Sequence, residues 1–236
     1  MLKRSFDVVV SLIGLILLAP VLLPAMLVLR LTGEGEIFFF QQRRGYRNNP
    51  FSITKFATML KSAAVMKKGD YTVANDPRVL PVGKFLRKYK VNEILQLWDV
   101  LRGQMSLVGP RPQVLRIHAL YPPEFASVLD RFRPGITGIG SLVFRDEERI
   151  LTRAIDRDYC YTRQIVPHKV KLELWYADHQ SFGLDLLIIF LTAWYVIRPD
   201  SVALRHILPV ELWRDANHFD GAAPEAGPDL AQGRIP

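Results

Sequence analysis

A chain of 236 residues is long enough for one domain with its own hydrophobic core and an appended segment. Its net charge of +8 and pI near 9.7 indicate an anionic partner, which could be nucleic acid, acidic lipid or a phosphorylated substrate. The single cysteine, Cys160, excludes an internal disulfide and is interpreted as structural in a reducing compartment. The sequence has no zinc-type Cys/His spacing, P-loop, GxGxxG or GxSxG motif, and no nucleic-acid-binding module.

The first long segment, residues 8–29, contains no charged side chain, and its roughly 22 residues would span the hydrocarbon core of a bilayer as a helix. Pro20 and Pro24 interrupt this segment past its middle. Each proline removes a backbone hydrogen bond, so we expect a kink there.

Basic residues flank this segment on both sides, with Lys3 and Arg4 before it and Arg30 after it. Because positive charge favours the cytoplasmic side, neither orientation of a straight span is favoured. We therefore predict a membrane-embedded hairpin over residues 1–35 that breaks at Ala19-Pro20 and returns to the same side. The alternatives are a kinked single span, a cleaved signal peptide and a buried core helix.

The rest of the chain is predicted to alternate short strands and helices, with no internal repeat. Alternation and turn residues predict strands, apolar periodicity predicts helices, and the glycine-rich stretch at 134–140 predicts a tight loop whose amides could approach a phosphate. The charge run at 144–149 is typical of a solvated helix start. The predicted strands are Ile37–Gln41 and Phe51–Phe56, and the predicted helices are Glu124–Phe132, Tyr159–Gln180 with a break at Pro167, and Leu186–Ile197 on the membrane surface.

The stretch from Lys84 to Arg116 carries a net charge of +5 and contains the strongest functional signal. Within it Asn92 stands where a helix N-cap is expected, Glu93 falls in the first turn, and Gly103 follows as a stop. The apolar face of this helix would consist of Ile94, Leu97, Trp98 and Leu101. A carboxylate among cations at a helix start suits a phosphate-handling site, although capping and dipole effects alone would also explain Asn92 and Glu93.

The motifs of this stretch, NEILQLWDVLRGQMSLVGPRP, resemble the signature of the bacterial sugar transferases, the monotopic polyprenol-phosphate phosphoglycosyl transferases. Four further motifs agree in order between about residues 3 and 200. They are Lys3-Arg4-Ser5-Phe6-Asp7, Phe51 with Lys55-Phe56 and Met59, Asp76-Pro77-Arg78-Val79, and Pro134-Gly135-Ile136-Thr137-Gly138.

The resemblance implies an α/β fold of the α+β type, with a re-entrant membrane hairpin over 1–35 and a small, helix-rich cytosolic catalytic domain over 36–200 with a few short strands and membrane-surface helices. Residues 201–236 would form a C-terminal extension, disordered after about residue 216 because of its composition. The expected location is the cytoplasmic face of a bacterial inner membrane, and a homo-oligomer is one of the open alternatives.

The resemblance also implies transfer of a sugar phosphate from a nucleotide-diphosphate sugar to membrane polyprenol phosphate, which initiates lipid-linked glycan synthesis such as exopolysaccharide. The expected partners are these two substrates and the lipid bilayer, without nucleic acid, and the expected cofactor is Mg²⁺ held by Glu93. The catalytic residues would be Glu93 and Asn92. The residues that bind substrate phosphate would be Arg78, Arg87, Lys88 and Arg111.

One departure from the family pattern concerns the catalytic step. The family's nucleophilic Asp, the first member of an Asp-Glu dyad, is Asn92 here, and an amide is a poor nucleophile. Asp99 would lie seven residues further along the helix, roughly 10 Å away. Three interpretations follow: Glu93 is the nucleophile, transfer is direct, or the chain is a catalytically silent scaffold of a polysaccharide-assembly complex.

Overall fold

The computed structural model describes residues 2–32, 34–64, 72, 76–119, 121–198, 201, 203, 209–213 and 219. Within these residues the protein is a mixed, helix-rich fold with two small two-stranded sheets, which agrees with the predicted α+β class. The strands are β1 (Phe38–Arg44), β2 (Pro50–Phe56), β3 (Ser106–Val108) and β4 (Gly135–Thr137).

The helices vary from single turns to a long N-terminal helix. They are α1 (Leu2–Leu31), α2 (Pro81–Lys88), α3 (Gln96–Leu101), α4 (Leu115–His118), α5 (Pro123–Leu129), α6 (Ile139–Val143), α7 (Glu147–Arg153), α8 (Arg157–Tyr159), α9 (Val166–His179), α10 (Phe182–Ile197) and α11 (Val210–Trp213). A π-helical segment (Cys160–Ile165) joins α8 to α9, and short 3₁₀ turns occur at Tyr46–Asn48, Lys61–Ala64 and Val91–Glu93.

Helix α1 is the one helix among the described residues that is long and apolar enough to cross a membrane. Its helical assignment continues through Pro20 and Pro24, so the predicted break at Ala19-Pro20 does not divide it into two helices, and the re-entrant path is not confirmed.

Both ends of α1 contact the remainder of the protein. Near its start, the Lys3 ammonium donates to Asp185 at 2.6 Å, and the Asp7 carboxylate accepts a hydrogen bond from the Ser106 hydroxyl at 2.7 Å. Near its end, Leu29 is 1% exposed in a cluster that includes Phe56. The helix is therefore attached to the protein body along its length.

The antiparallel pair β1–β2 confirms the two predicted strands, and β1 extends three residues beyond Gln41. Strand β2 is tied to α3 by Asp99, which accepts hydrogen bonds from the backbone N–H of Thr54 at 2.8 Å and from its hydroxyl at 2.9 Å. Burial raises the pKa of Asp99, an effect that the two bonds from Thr54 partly oppose. Asp99 is fully buried and structural.

The predicted glycine loop at 134–140 is wrong in part, because Gly135–Thr137 forms β4 parallel to β3 and α6 begins at Ile139. The glycines serve close backbone approach rather than a left-handed conformation. An added Cβ at Gly135 would lie 2.2 Å from the Gly109 nitrogen. This contact holds the loop after β3 against β4.

The main core surrounds α9 and α10, which confirms the predicted helices in both regions. The helical path changes from π to α just before Pro167, at the predicted break, and α10 begins four residues before Leu186. Cys160 is fully buried in this core. Helix α5 confirms most of the helix predicted over 124–132, and the charge run leads into α7. The predicted disorder after residue 216 falls largely outside the described residues.

Candidate active site

The start of the central helix differs from the sequence prediction. Lys90 adopts a left-handed conformation, with φ of 58°, and the chain then forms the 3₁₀ turn Val91–Glu93 before α3 begins at Gln96. Asn92 therefore lies inside the turn and does not cap a helix. Its side chain is 6% exposed, and its Oδ1 has no hydrogen-bond partner among the described residues. The predicted stop is confirmed at Gly103, where φ is +81°.

The predicted apolar face of this helix is only partly buried, with Ile94 and Leu97 packed against core clusters. Trp98 is 52% exposed, whereas Asp99 and Val100 are completely buried. Leu97 instead packs on α1, where its Cδ1 would lie 3.1 Å from a Cβ added at Gly14. Apolar periodicity therefore marks the side of α3 that faces the membrane helix.

Glu93 is held by two cations that come from distant parts of the sequence. Its Oε1 accepts a hydrogen bond from Lys55 Nζ at 2.7 Å and from Arg111 Nη2 at 3.0 Å. Burial alone would raise the pKa of Glu93, but Arg111 and Lys55 outweigh burial and hold that pKa well below its usual range. Glu93 is therefore a carboxylate at neutral pH, and both contacts are made to one oxygen.

Lys55 is the less expected member of this group, since the sequence prediction assigned it no role in the site. It projects from β2, next to the Thr54 that binds Asp99, so one strand orients both acidic residues of the 91–101 segment. Burial lowers the pKa of Lys55 to about 8, partly opposed by the negative charge of Glu93.

Arg111 contacts a second glutamate through its main chain. Its backbone N–H donates to Glu173 Oε1 on α9 at 3.5 Å, which is long for a hydrogen bond. Glu173 is 4% exposed, and its Oε2 has no partner among the described residues. Burial raises the pKa of Glu173 to about 8, although Arg111 and Lys169 act in the opposite direction.

A further group of side chains surrounds Arg111 and Glu173. Lys169, one turn before Glu173 on α9, pairs with Glu147 on α7, and its Nζ lies 5.4 Å from the ring centroid of Phe144. The Lys169 Nζ also lies 5.8 Å from the ring centroid of Tyr161. Lys169 and Tyr161 were not assigned to the site, whereas Phe144 and Glu147 belong to the charge run at 144–149 that was predicted as a helix start.

The structure separates the four predicted phosphate-binding cations. Arg111 lies on Glu93, whereas Arg87 donates to Thr72 at 3.0 Å and to Glu148 at 2.9 Å. Lys88 is exposed, with its Nζ 5.5 Å from the ring centroid of Tyr89. The role of Arg87 and Lys88 in phosphate binding stays a prediction.

Arg78 has a different environment from the other three. It is 5% exposed and forms a buried ion pair with Asp76 at 2.7 Å. The predicted turn at Asp76-Pro77 thus also contains an ion pair. A phosphate contact by Arg78 also stays a prediction.

A metal site cannot be read from clustered ligands. Within the described ranges, no group of three or more His, Cys, Asp or Glu side chains could hold a metal ion. Magnesium, however, is commonly bound through one or two protein oxygens together with substrate phosphates. The Glu93 carboxylate and the partnerless Asn92 Oδ1 on the same turn fit that limited role.

Comparison with known proteins accounts for this combination of a membrane-type helix and a carboxylate held by cations. The family model for bacterial sugar transferases matches residues 1–199. The chain belongs to the bacterial sugar transferase family. The match includes α1, Glu93, Arg111 and Glu173, and the predicted resemblance is confirmed.

Several relatives in this family carry names that describe an activity. The chain is 35% identical over 195 residues to an undecaprenyl-phosphate glucose phosphotransferase of Komagataeibacter xylinus, covering 80% of this chain and 35% of that protein. It is also 35% identical over 196 residues to a UDP-glucose:undecaprenyl-phosphate glucose-1-phosphate transferase of Klebsiella pneumoniae, covering 80% of this chain and 39% of that protein. The chain thus spans little more than a third of either relative.

A shorter relative is matched over most of its length. The chain is 32% identical over 212 residues to the exopolysaccharide production protein ExoY of Rhizobium meliloti strain 1021, covering 81% of this chain and 84% of that protein.

Proposed function

We propose that this protein transfers a sugar phosphate from a UDP-sugar to undecaprenyl phosphate, giving a lipid-linked diphosphate sugar and UMP, in exopolysaccharide production. Family membership and the names of the relatives support the reaction class. The observation that carries the proposal is the pair of cations, Lys55 and Arg111, on the ionised Glu93. The alternative, a silent scaffold, would leave the two part-buried cations that converge on Glu93 without a function.

The residues of the site can perform distinct parts of this transfer. Arg111 presents a planar guanidinium, suited to two phosphate oxygens, while it fixes Glu93. Lys55 keeps the carboxylate oriented from the opposite strand. Because both hydrogen bonds are to Oε1, a reaction at Oε2 requires neither hydrogen bond to break.

Two chemical routes use this arrangement. In the first, Glu93 Oε2 attacks the phosphorus that carries the sugar, the bridging oxygen leaves with UMP, and the lipid phosphate then displaces Glu93. In the second, the lipid phosphate attacks directly while Arg111 stabilises the charge on the phosphate oxygens. Intact-mass measurement with donor alone distinguishes them, because only the first adds a phosphosugar to the protein.

We assign Mg²⁺ to Glu93 and Asn92, with the remaining ligands from the diphosphate and water. When bound, the ion would neutralise phosphate charge. Titration of MgCl₂ into the assay should show dependence on the ion, and Asn92→Ala should raise the half-saturating concentration several-fold. Full activity in excess chelator would contradict this assignment.

We also propose that α1 enters the membrane from the cytoplasmic side and returns both of its ends to that side. A straight helix of 30 residues is about 45 Å long, longer than the roughly 30 Å hydrocarbon core of a bilayer. Its far end would then lie across the membrane from the body, yet Lys3 and Leu29 both contact the body. The apolar outer side of α10, with Phe190 and Trp194, would lie at the membrane surface.

Labelling of introduced cysteines tests this topology. Cys160 is fully buried, so it gives a low background. Leu2→Cys and Leu31→Cys, both at exposed positions, should react with an impermeant maleimide only in inside-out membrane vesicles. Reaction of the two positions from opposite sides would establish a single span.

The transfer itself is tested with detergent-purified protein, undecaprenyl phosphate and a panel of UDP-sugars. UMP release that requires both substrates is the expected result. A folded protein that releases no UMP with any donor of the panel would favour the scaffold.

A further inference from the structure

Glu173 is a buried acidic side chain next to the proposed phosphate site, and the reaction outlined above does not use it. It lies on α9, 62 residues from Arg111 in sequence. Its carboxyl contacts two different segments. Oε1 accepts from the Arg111 backbone, and the same oxygen would lie 2.6 Å from a Cβ at Gly140.

These contacts connect three segments that together determine where Arg111 lies. The loop that carries Arg111 is already packed on β4 through Gly109 and Gly135. The Glu173 carboxyl connects α9 to this loop and lies next to Gly140 of α6. The Arg111 guanidinium can then bind Glu93, because the main chain of Arg111 is held in place by these contacts.

We propose, on the basis of the transfer function above, that Glu173 is a positioning residue for Arg111, and that its carboxyl serves the donor diphosphate only in its uncharged form. A charged carboxylate beside Arg111 would compete with the diphosphate for the same cation. An uncharged carboxyl holds the backbone without that competition.

The environment of Glu173 supports the uncharged form at neutral pH. Burial raises the pKa of Glu173 to about 8, and its partnerless Oε2 offers no bond that would stabilise a charge. Two cations face the carboxyl, Arg111 from its loop and Lys169 from α9. Lys169 is itself paired with Glu147. The phenol groups of Tyr121 and Tyr176 are further titratable neighbours, and burial raises the pKa of each above its usual value.

The test compares two substitutions that separate charge from reach. Glu173→Gln keeps an acceptor oxygen and can never ionise, whereas Glu173→Asp can still ionise but shortens the reach to Arg111. Asp178→Asn, at an exposed position on the same helix, is the matched control. All four proteins are assayed for UDP binding by calorimetry between pH 6.5 and 9.5, with circular dichroism as the check of folding.

Wild-type protein and Asp178→Asn should lose UDP affinity as pH rises through about 8, by roughly tenfold for one charge beside the ligand. Glu173→Gln should bind UDP normally at pH 7 and lose distinctly less affinity at pH 9. Part of the loss should persist, because Lys55 also loses its charge near pH 8. Glu173→Asp should bind weakly at every pH.

An infrared measurement adds a readout that needs no ligand. At pH 7 the carbonyl band of a protonated carboxyl should be present in wild type and Asp178→Asn, and missing from Glu173→Gln. Absence of this band from the wild type, or a UDP affinity profile in Glu173→Gln that superimposes on the wild type, would overturn the inference. Because neither measurement uses turnover, failure to release UMP would count against the proposed function separately.

Discussion

Two glutamates that contact Arg111, the part-buried Glu93 and the buried Glu173, illustrate how environment sets the charge of the same side chain. Glu93 has two cations on one oxygen, and its pKa lies well below the usual range. Glu173 has only a long backbone contact to the same arginine, and burial raises its pKa to about 8. A carboxyl group in direct ion pairs with two cations is ionised, whereas a buried one with no direct ion pair among the described residues keeps its proton. The four changes below disturb Glu93, Glu173 or the arginine that they share.

The largest effect is expected from Glu93→Gln. The amide keeps the shape of the side chain but leaves Lys55 and Arg111 without their counter-charge. UMP release should fall by about 10³-fold or more, a loss typical of a group at the reacting centre. Glu36→Gln, which breaks an exposed ion pair with Lys61, should retain wild-type turnover. Undiminished turnover in Glu93→Gln would remove Glu93 from the mechanism.

The next effect concerns stability in Glu173→Gln. The native carboxyl keeps its proton up to about pH 8, whereas the unfolded group loses it near 4.5, so native protein binds more protons between these values. The wild-type free energy of unfolding therefore falls as pH rises through this window, and the loss persists above it. The variant has no such loss. The difference in free energy of unfolding, variant minus wild type, should therefore be larger at pH 9 than at pH 4 by a few kcal/mol.

Thermal unfolding at the two pH values measures this difference. An equal change in Tm at pH 4 and pH 9 would show that the Glu173 carboxyl is ionised in the native protein. Asp178→Asn again provides the control, because its side chain is exposed.

Arg111→Lys alters the residue shared by both glutamates. Lysine keeps the charge but lacks the planar fork that can hold Glu93 and phosphate oxygens together. We expect kcat/KM to fall by roughly 10²-fold, with the larger part in KM for the UDP-sugar. Arg131→Lys, at an exposed position, should be neutral. A kcat/KM equal to the wild type would mean that Arg111 acts as a point charge only.

Gly140→Ala should give a smaller effect, of about tenfold in kcat/KM, because the new methyl group would displace the Glu173 carboxyl and with it the main chain of Arg111. The same change in a Glu173→Ala background should lower kcat/KM little, since the space beside Gly140 is then free. Gly183→Ala is the control, because a Cβ there meets nothing within 4 Å. An equal loss of kcat/KM in both backgrounds would show that Gly140 does not act through Glu173.

The sequence predicted one side of this site better than the other. Glu93 and Arg111 lie 18 residues apart within one motif, and both strands of the first sheet were predicted, Phe51–Phe56 from its alternation. Lys55 and Glu173 were not assigned to the site, because each reaches it through tertiary packing across strands and helices. No local pattern encodes that proximity.

One prediction about the central helix was wrong. Asn92 does not cap a helix, because the left-handed Lys90 starts a separate 3₁₀ turn before α3. The predicted apolar face is partly buried: Ile94 and Leu97 pack against core clusters, whereas Trp98 is exposed, because periodicity reports which side avoids water and cannot distinguish a protein core from a lipid-facing side. The positive φ of Gly103 was predictable, since the residue that ends a helix commonly adopts it.

The polar contacts of α1 have a practical consequence for handling this protein outside cells. Lys3 pairs with Asp185 on α10, Asp7 accepts a hydrogen bond from Ser106 on β3, and Ser11 is fully buried further along the same side of α1. Removing the first 31 residues would take one polar partner from each of Asp185 and Ser106 as well as removing the apolar helix. A water-soluble version is better sought by replacing outward-facing residues of α1 such as Ile16, Leu17 and Leu23 with polar ones while its inner side is preserved.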